Sequence, residues 1–331
     1  MSRNSRHQQQ RDHIGRRPEL SQHFLHDRRT VRRLVGAMGL RPGDLVVDIG
    51  AGRGIITEEL AAAGCRVVAV EKDVRLFRSL RARFIGRTNV ECHHADILAF
   101  RLPHAPYHAV SSVPYGITSA VVRKLLQAPV PPVSAHLIVQ REAAEKFAGA
   151  PRETLFSLLH KPSFAFDVVS SLRRTDFAPP PSVDSVVLRI VRRDVPLAAP
   201  GSMAAYRRFV RGAFGARGPE VRRSLRGFFT GRQVRRLGRE LGFALDARPS
   251  DLTFAQWVGL FRFYERACLP RGAVPVGDNG LTPWPALRER RGGGRRPGVR
   301  LRAPARVTLP RAASAVRPNG RGPAQADGPA R

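Results

Sequence analysis

The sequence predicts an open, doubly wound α/β sheet, followed by a small all-α domain and a disordered basic tail. Three observations predict it. Apolar, β-rich runs at 45–49, 65–70, 89–94, 108–113 and 134–139 alternate with segments of helical period, the pattern of a mainly parallel sheet with helices on both faces. Residues 202–266 are rich in Arg and Phe, carry no strand signal and read as several helices. Beyond Cys268, Gly, Pro, Arg and Ala dominate, with Gly292-Gly293-Gly294 in the middle. Such a segment buries too little apolar area to fold alone.

Residues 1–20 are polar and basic and read as a flexible arm; 27–40 have helical period. Arg41-Pro42-Gly43-Asp44 turns into the first strand, Leu45-Val46-Val47. Asp48-Ile49-Gly50-Ala51-Gly52-Arg53-Gly54 then leads into a helix-like stretch at 56–63. That is strand, glycine turn and helix. Alternate glycines let the backbone approach a ligand closely, and a helix N-terminus offers free N–H groups. Segments 73–84 and 119–127 are also helical in period. Runs 163–172 and 185–192 have no long helix between them and suggest an antiparallel hairpin at the sheet edge. The loop from Phe177 to Asp184 between them is stiffened by Pro179-Pro180-Pro181. A Pro/Gly/Ala linker at 194–201 divides a domain at 21–193 from a helical one at 202–266, and the tail occupies 269–331.

The formal charge is +31, from 57 Lys and Arg against 26 Asp and Glu. GC-rich coding explains Arg in place of Lys, but not the shortage of acids. A polyanionic partner, nucleic acid, explains both. The three cysteines show no metal spacing and no disulfide framework. No apolar run approaches the ~20 residues of a membrane span, and the N-terminus lacks the apolar centre of a signal peptide. A cytoplasmic protein without membrane partners is expected.

Two acids sharpen the glycine turn. Glu71 ends the run that follows it, where a carboxylate can take both hydroxyls of a ribose. Asp96, followed by Ile97, ends the third run, where a carboxylate can accept from an adenine amino group. Alone, Asp96 reads as a helix N-cap. Together with Asp48, Gly50, Gly52 and Glu71 it describes a pocket for S-adenosylmethionine at successive strand ends. The fourth strand end carries Ser112-Val113-Pro114-Tyr115. This resembles the Asn-Leu/Ile-Pro-Tyr/Phe motif of amino-directed methyltransferases. An exocyclic adenine amine is a poor nucleophile, because its lone pair is delocalised into the ring. Acceptors must hold its N–H groups while an aromatic ring stacks on the extruded base. Ser112, the Val113 carbonyl, Pro114 and Tyr115 are the candidates. Ser112 stands where Asn is usual; its hydroxyl is shorter and can also donate.

These motifs, in order over about residues 20–265, resemble the rRNA adenine N6-methyltransferase family that includes the Erm resistance enzymes and the KsgA/Dim dimethyltransferases. Ser21-Gln22-His23-Phe24-Leu25 is similar to its Gln-Asn-Phe-Leu motif, with His23 in place of Asn. In the family this motif closes over the methionine end of the cofactor, which implies Gln22, His23 and Leu25 as cofactor residues. Val139 to Lys146, Phe177 to Ser185 and Arg248-Pro249-Ser250-Asp251-Leu252 resemble further family elements. Ala51 between Gly50 and Gly52 resembles Erm more than KsgA.

The resemblance implies a Rossmann-like methyltransferase sheet and S-adenosylmethionine as cofactor. It implies one adenine of large-subunit (23S) rRNA as target, met by a monomer before or during subunit assembly. Methylation there would block macrolides, lincosamides and streptogramin B. Arg207, Arg208, Arg211, Arg217, Arg222, Arg223 and Arg226, around Phe209 and Phe214, form a basic set expected to grip RNA phosphates. No metal is expected: His93 and His94 lie on one strand without a third ligand. Two other functions fit the same motifs, a KsgA-like small-subunit dimethyltransferase and a non-catalytic RNA-binding protein; the unusual Ser112 and His23 favour the latter.

Overall fold

The computed structural model describes residues 23–112, 114–197, 200–216 and 220–268. The expected arm 1–20, Gln22, Val113, Arg217 and the tail 269–331 lie outside these residues.

A short strand, β1 (Phe24–Leu25), opens the described chain, followed by helix α1 (Arg28–Ala37). Asp27 caps that helix by accepting from the Thr30 amide at 2.9 Å. Strand and helix then alternate: β2 (Leu45–Ile49), α2 (Ile55–Ala62), β3 (Arg66–Glu71), α3 (Val74–Arg83), β4 (Val90–His94), β5 (His108–Ser111), α4 (Thr118–Gln127) and β6 (Ser134–Gln140). The expected strand at 108–113 ends at Ser111, since Pro114 has no amide to offer a ladder. Helices α5 (Arg141–Ala148) and α6 (Leu155–His160) precede β7 (Phe164–Leu172), β8 (Phe177–Ala178) and β9 (Ser185–Arg192).

The main sheet has the order β4-β3-β2-β5-β6-β9-β7. Its first five strands are parallel, and β9 runs antiparallel to both neighbours. The expected hairpin is thus present, with β9 inserted beside β6 and β7 left at the edge. The chain moves outward from β2 to β4 and returns at β5. This reversal opens a crevice at the carboxyl ends of β2 and β5, where doubly wound sheets bind ligands.

Strands buried on both faces need continuous apolar runs, and successive side chains alternate between the faces. Val47, Ala109, Leu137, Val139 and Leu188 meet Val121 and Leu125 of α4 and Phe147 of α5. Their neighbours Val46, Val110, Ile138 and Val187 meet Leu34 of α1 and Leu60 of α2 on the other face.

After residue 200 the chain is helical: α7 (Met203–Phe214), α8 (Val221–Ser224), α9 (Gly231–Leu241) and α10 (Phe254–Cys268). Their core gathers Tyr206, Phe209, Leu237, Trp257, Leu260 and Phe261. Leu158 of α6 joins it, fully buried. The helical core therefore takes in an element from before the linker at 194–201. A buried Leu contributes about 1.5–3 kcal/mol to such a joint.

His136 gives the fold an acid limit. It is 2% exposed in β6, and among the described residues neither ring nitrogen has a hydrogen-bond partner. Burial, then the charges of Arg189 and His108, push its pKa down to about 4 from the ordinary 6.5. The folded ring stays neutral, so its contribution is complete above pH 6.5 and is lost as pH falls toward 4. From pH 7.5 to 5.0 that loss is about 2 kcal/mol. Asp48, whose pKa is raised to about 7, works with the opposite sign over this range. The comparison must therefore be between proteins that share Asp48. Urea unfolding at the two pH values is expected to show wild-type protein losing about 2 kcal/mol more than His136→Phe; equal losses would refute the assignment.

Candidate active site

The glycine turn sits at the carboxyl end of β2. Gly50, Gly52 and Gly54 take φ of 68°, 57° and 78°, a region that L side chains rarely enter. At Gly54 a Cβ would lie 2.7 Å from Leu80 Cδ1 and 2.8 Å from Phe84 Cε2. Leu80 and Phe84 pack with Ala51 and Ala69, so α3 presses on the turn and seats it. At Gly52 a Cβ would meet the Phe24 ring at 3.3 Å. The β1 segment therefore lies over the turn, and the Arg53 guanidinium covers the Phe24 ring at 5.0 Å.

Three acids converge on this crevice. Asp48 is fully buried in β2; its Oδ2 accepts from Thr57 Oγ1 at 2.6 Å, while Oδ1 has no partner among the described residues. Burial pushes its pKa up to about 7, with the Glu71 charge adding and the Thr57 bond opposing. Glu71, at the end of β3, accepts from the Gly52 amide through Oε2 and from the Asp73 amide through Oε1, both at 2.8 Å. Asp96 follows β4. Its Oδ2 takes the Lys72 ammonium at 2.9 Å, and its Oδ1 takes the Leu98 amide at 2.9 Å. The Lys72 contact, then the Leu98 amide, hold its carboxyl below the usual range. The N-cap alternative is thus partly met: Asp96 caps a turn and still keeps lone pairs for a ligand. Leu25 and Ile97 are buried in the cores on opposite faces of the sheet.

Ser112 is half-buried just beyond β5, followed after Val113 by Pro114 and a short 3-10 turn over Tyr115–Ile117. Burial raises the Tyr115 pKa, so its hydroxyl stays protonated. That hydroxyl bonds Ser185 Oγ at 2.5 Å. The His23 ring stacks on Tyr115 with centroids 5.8 Å apart and 29° between planes. His23 Nδ1–H donates to the Pro179 carbonyl at 2.9 Å. Strands β1 and β8 pair antiparallel beneath this contact, Phe24 opposite Ala178 and Leu25 opposite Phe177. His23 and β1, Tyr115 and the proline loop are thereby tied together.

The structure brings His23, Asp48, Gly50, Gly52, Glu71, Asp96, Ser112 and Tyr115 to the carboxyl ends of successive strands or against them. Sequence reasoning missed Thr57, Lys72 and Ser185, the partners of Asp48, Asp96 and Tyr115. Only Lys72 had a local signal, as a cation next to Glu71. His93 pairs with Glu91, and His94 with the Lys72 carbonyl. Among the described residues no group of three His, Cys, Asp or Glu could hold a metal. Among the same residues no helix is long and apolar enough to cross a membrane.

The basic set divides. Arg207, Arg208 and Arg211 are exposed on α7, and Arg226 is exposed just after α8. Arg222 and Arg223 share Glu220, at 2.5 and 3.7 Å. Phe209 is buried in the helical core.

The sheet order, the glycine turn at its switch point and the acids on the next two strand ends define an S-adenosylmethionine-dependent methyltransferase fold of Rossmann-like class. Within that class, the chain belongs to the ribosomal RNA adenine dimethylase family, whose model matches residues 15–266. An rRNA adenine N-6-methyltransferase from Saccharopolyspora erythraea is 34% identical over 260 residues, 78% of this chain and 68% of the relative. The mycinamicin-resistance protein MyrB of Micromonospora griseorubida is 33% identical over 296 residues, 85% of this chain and 94% of the relative. The crystal structure of the 23S rRNA methyltransferase ErmE, 33% identical, superposes with a TM-score of 0.69, covering 73% of this chain and 99% of that one.

Proposed function

We propose that this chain methylates N6 of one adenine in 23S rRNA, using S-adenosylmethionine, and so confers resistance to macrolides, lincosamides and streptogramin B. The observation that carries the target is the likeness to ErmE, which covers 73% of this chain and 99% of that one. The pocket fits the cofactor on its own chemistry: an unpartnered buried oxygen on Asp48, close backbone at Gly50 and Gly52, and carboxylates at Glu71 and Asp96.

In this reading Glu71 holds the ribose hydroxyls and Asp96 accepts from the cofactor's adenine amino group. Gln22, His23 and Leu25 belong to the segment closing the methionine end, and Ile97 borders the adenine. When bound, the cofactor supplies an electrophilic methyl on a sulfonium. Ser112 Oγ and the Val113 carbonyl accept the two N–H groups of the target amine, freeing its lone pair. Pro114 fixes the path of that backbone, and Tyr115 stacks on the target base. The lone pair freed by Ser112 and the Val113 carbonyl would take the methyl as the sulfonium sulfur leaves with the C–S pair, and one amine proton would pass to solvent. Alignment supplies the rate enhancement, with no group on the protein consumed. The domain at 21–193 carries this chemistry. The domain at 202–266 grips RNA phosphates through Arg207, Arg208, Arg211, Arg222, Arg223 and Arg226. The enzyme acts as a cytoplasmic monomer on rRNA before or during large-subunit assembly.

Incubation of naked large-subunit rRNA with protein and cofactor is expected to give N6-methyladenine at one position, read by primer extension and mass analysis. A host expressing the chain is expected to tolerate macrolides and lincosamides. Pre-assembled small subunits acting as the better acceptor would overturn the target. Cofactor binding without methyl transfer, even in Ser112→Asn, would overturn the catalytic reading in favour of an RNA-binding role.

A further inference from the structure

Helix α9 carries basic residues outside the expected RNA-binding set. It is held at its start by a Thr230–Gln233 capping box and stopped by Gly242 in the left-handed region. Val234 and Leu237 face the helical core. Arg232, Arg235 and Arg239 lie on another face at spacings of three and four residues, so they stack along one side of the helix. They are exposed and, among the described residues, make no ion pair. Of the neighbouring acids, Glu240 is taken by Arg236 at 2.8 Å, while Asp246 makes no ion pair among the described residues.

The three arginines line an open groove of about 470 Å³ with Gly238, Phe243, Ala244 and Leu245. Gly238 sets its depth. A Cβ there would stand 3.1 Å from Leu245 Cδ2 and 3.1 Å from the Phe243 carbonyl, so glycine lets the 243–245 segment lie against the helix. The groove thus combines a rail of free guanidiniums, roughly 10 Å long at 1.5 Å per residue, with a half-exposed aromatic ring. Guanidinium forks match phosphate oxygens, and an aromatic ring stacks any base. A single small anion would use one fork; a rail beside a ring fits a chain of nucleotides.

We propose that the α9 groove binds a single-stranded stretch of the substrate RNA away from the target adenine, with Arg232, Arg235 and Arg239 on phosphates and Phe243 under a base. This rests on the reading of the enzyme's substrate as RNA. It also reassigns weight within the helical domain: Arg222 and Arg223 share one carboxylate, Glu220, while the rail arginines make no ion pair among the described residues.

The test uses the full chain and naked large-subunit rRNA transcript, with affinity measured across salt and methyl transfer measured at saturating RNA. Arg232→Ala, Arg235→Ala and Arg239→Ala are each expected to weaken binding about threefold or more. The triple variant is expected to flatten the slope of log K against log salt by about 2, the loss of three phosphate contacts to a single strand. Ala244→Glu, which sets a negative charge in the groove without touching the rail, is expected to act in the same direction. kcat and cofactor affinity should stay within twofold in all of them. Arg236→Ala removes the same charge from the same helix, but from a residue paired with Glu240; it is expected to leave RNA affinity within twofold. Rail variants no weaker than Arg236→Ala would overturn the groove, as would an unchanged triple variant that had instead lost affinity for an acidic peptide. Wild-type protein that binds no rRNA would refute the substrate reading itself, a separate failure.

Discussion

Glu71→Ala is expected to weaken S-adenosylmethionine binding by about a hundredfold or more. A carboxylate offers about four lone-pair directions. The buried Glu71 uses two of them, on the Gly52 and Asp73 amides. Two remain, which is what two ribose hydroxyls require. A hydrogen bond to a charged group contributes about 1.5–3 kcal/mol, so losing a pair costs at least two powers of ten in Kd. The substitution also leaves the Gly52 and Asp73 amides without their acceptor, which loosens the turn itself. Glu71→Gln separates these effects. Its single oxygen can keep Gly52, but its NH2 group then faces the Asp73 amide, donor against donor. Its expected loss is about tenfold, between wild type and alanine. Calorimetry with S-adenosylhomocysteine reads both, and thermal unfolding without ligand reads the turn alone. Affinity in Glu71→Ala within threefold of wild type would show that this carboxylate does not meet the ribose.

That prediction was accessible from the chain because its elements are local. A strand, alternate glycines and an acid some 20 residues on are features of period and spacing, and strands β2 to β6 were legible for the same reason. What the sequence left hidden are contacts made by chain closure. Ser185 reaches Tyr115 across 70 positions, and His23 reaches Pro179 across 156. The pairing of β1 with β8 involves two residues on each side, too few to carry any period. Helix α6 is also short, and its Leu158 looks like any apolar residue until the helical core closes on it. Charge was legible as a sum but not as a distribution. Counting arginines singles out Arg222 and Arg223; only geometry shows Glu220 between them and the exposed rail on α9.

Tyr115→Ala is expected to lower kcat/KM for rRNA about a hundredfold while leaving cofactor affinity within twofold. Stacking of a base on an aromatic ring contributes about 1–3 kcal/mol. An extruded adenine that is not held flat also loses its alignment with Ser112 and the methyl donor, which adds a cost in kcat. The ring is placed for this by contacts on two sides, the Ser185 hydroxyl at 2.5 Å and the His23 imidazole stacked on its face. Tyr115→Phe keeps the face and loses only the Ser185 bond. It should cost less than about fivefold, the value of one neutral hydrogen bond. Tyr115→Trp offers a larger face and should stay within about tenfold of wild type. The order Tyr, Phe, Trp, Ala in methyl transfer, with flat cofactor affinity, is the signature of a stacking ring. A general packing role predicts something else: losses in Trp and Ala that track thermal stability rather than the size of the aromatic face. Fluorescence of a 2-aminopurine at the target position gives an independent reading. Its signal should be quenched by stacking in wild type and Phe, and bright in Ala. A bright signal in wild type, or an alanine variant retaining more than half the activity, would remove Tyr115 from the site.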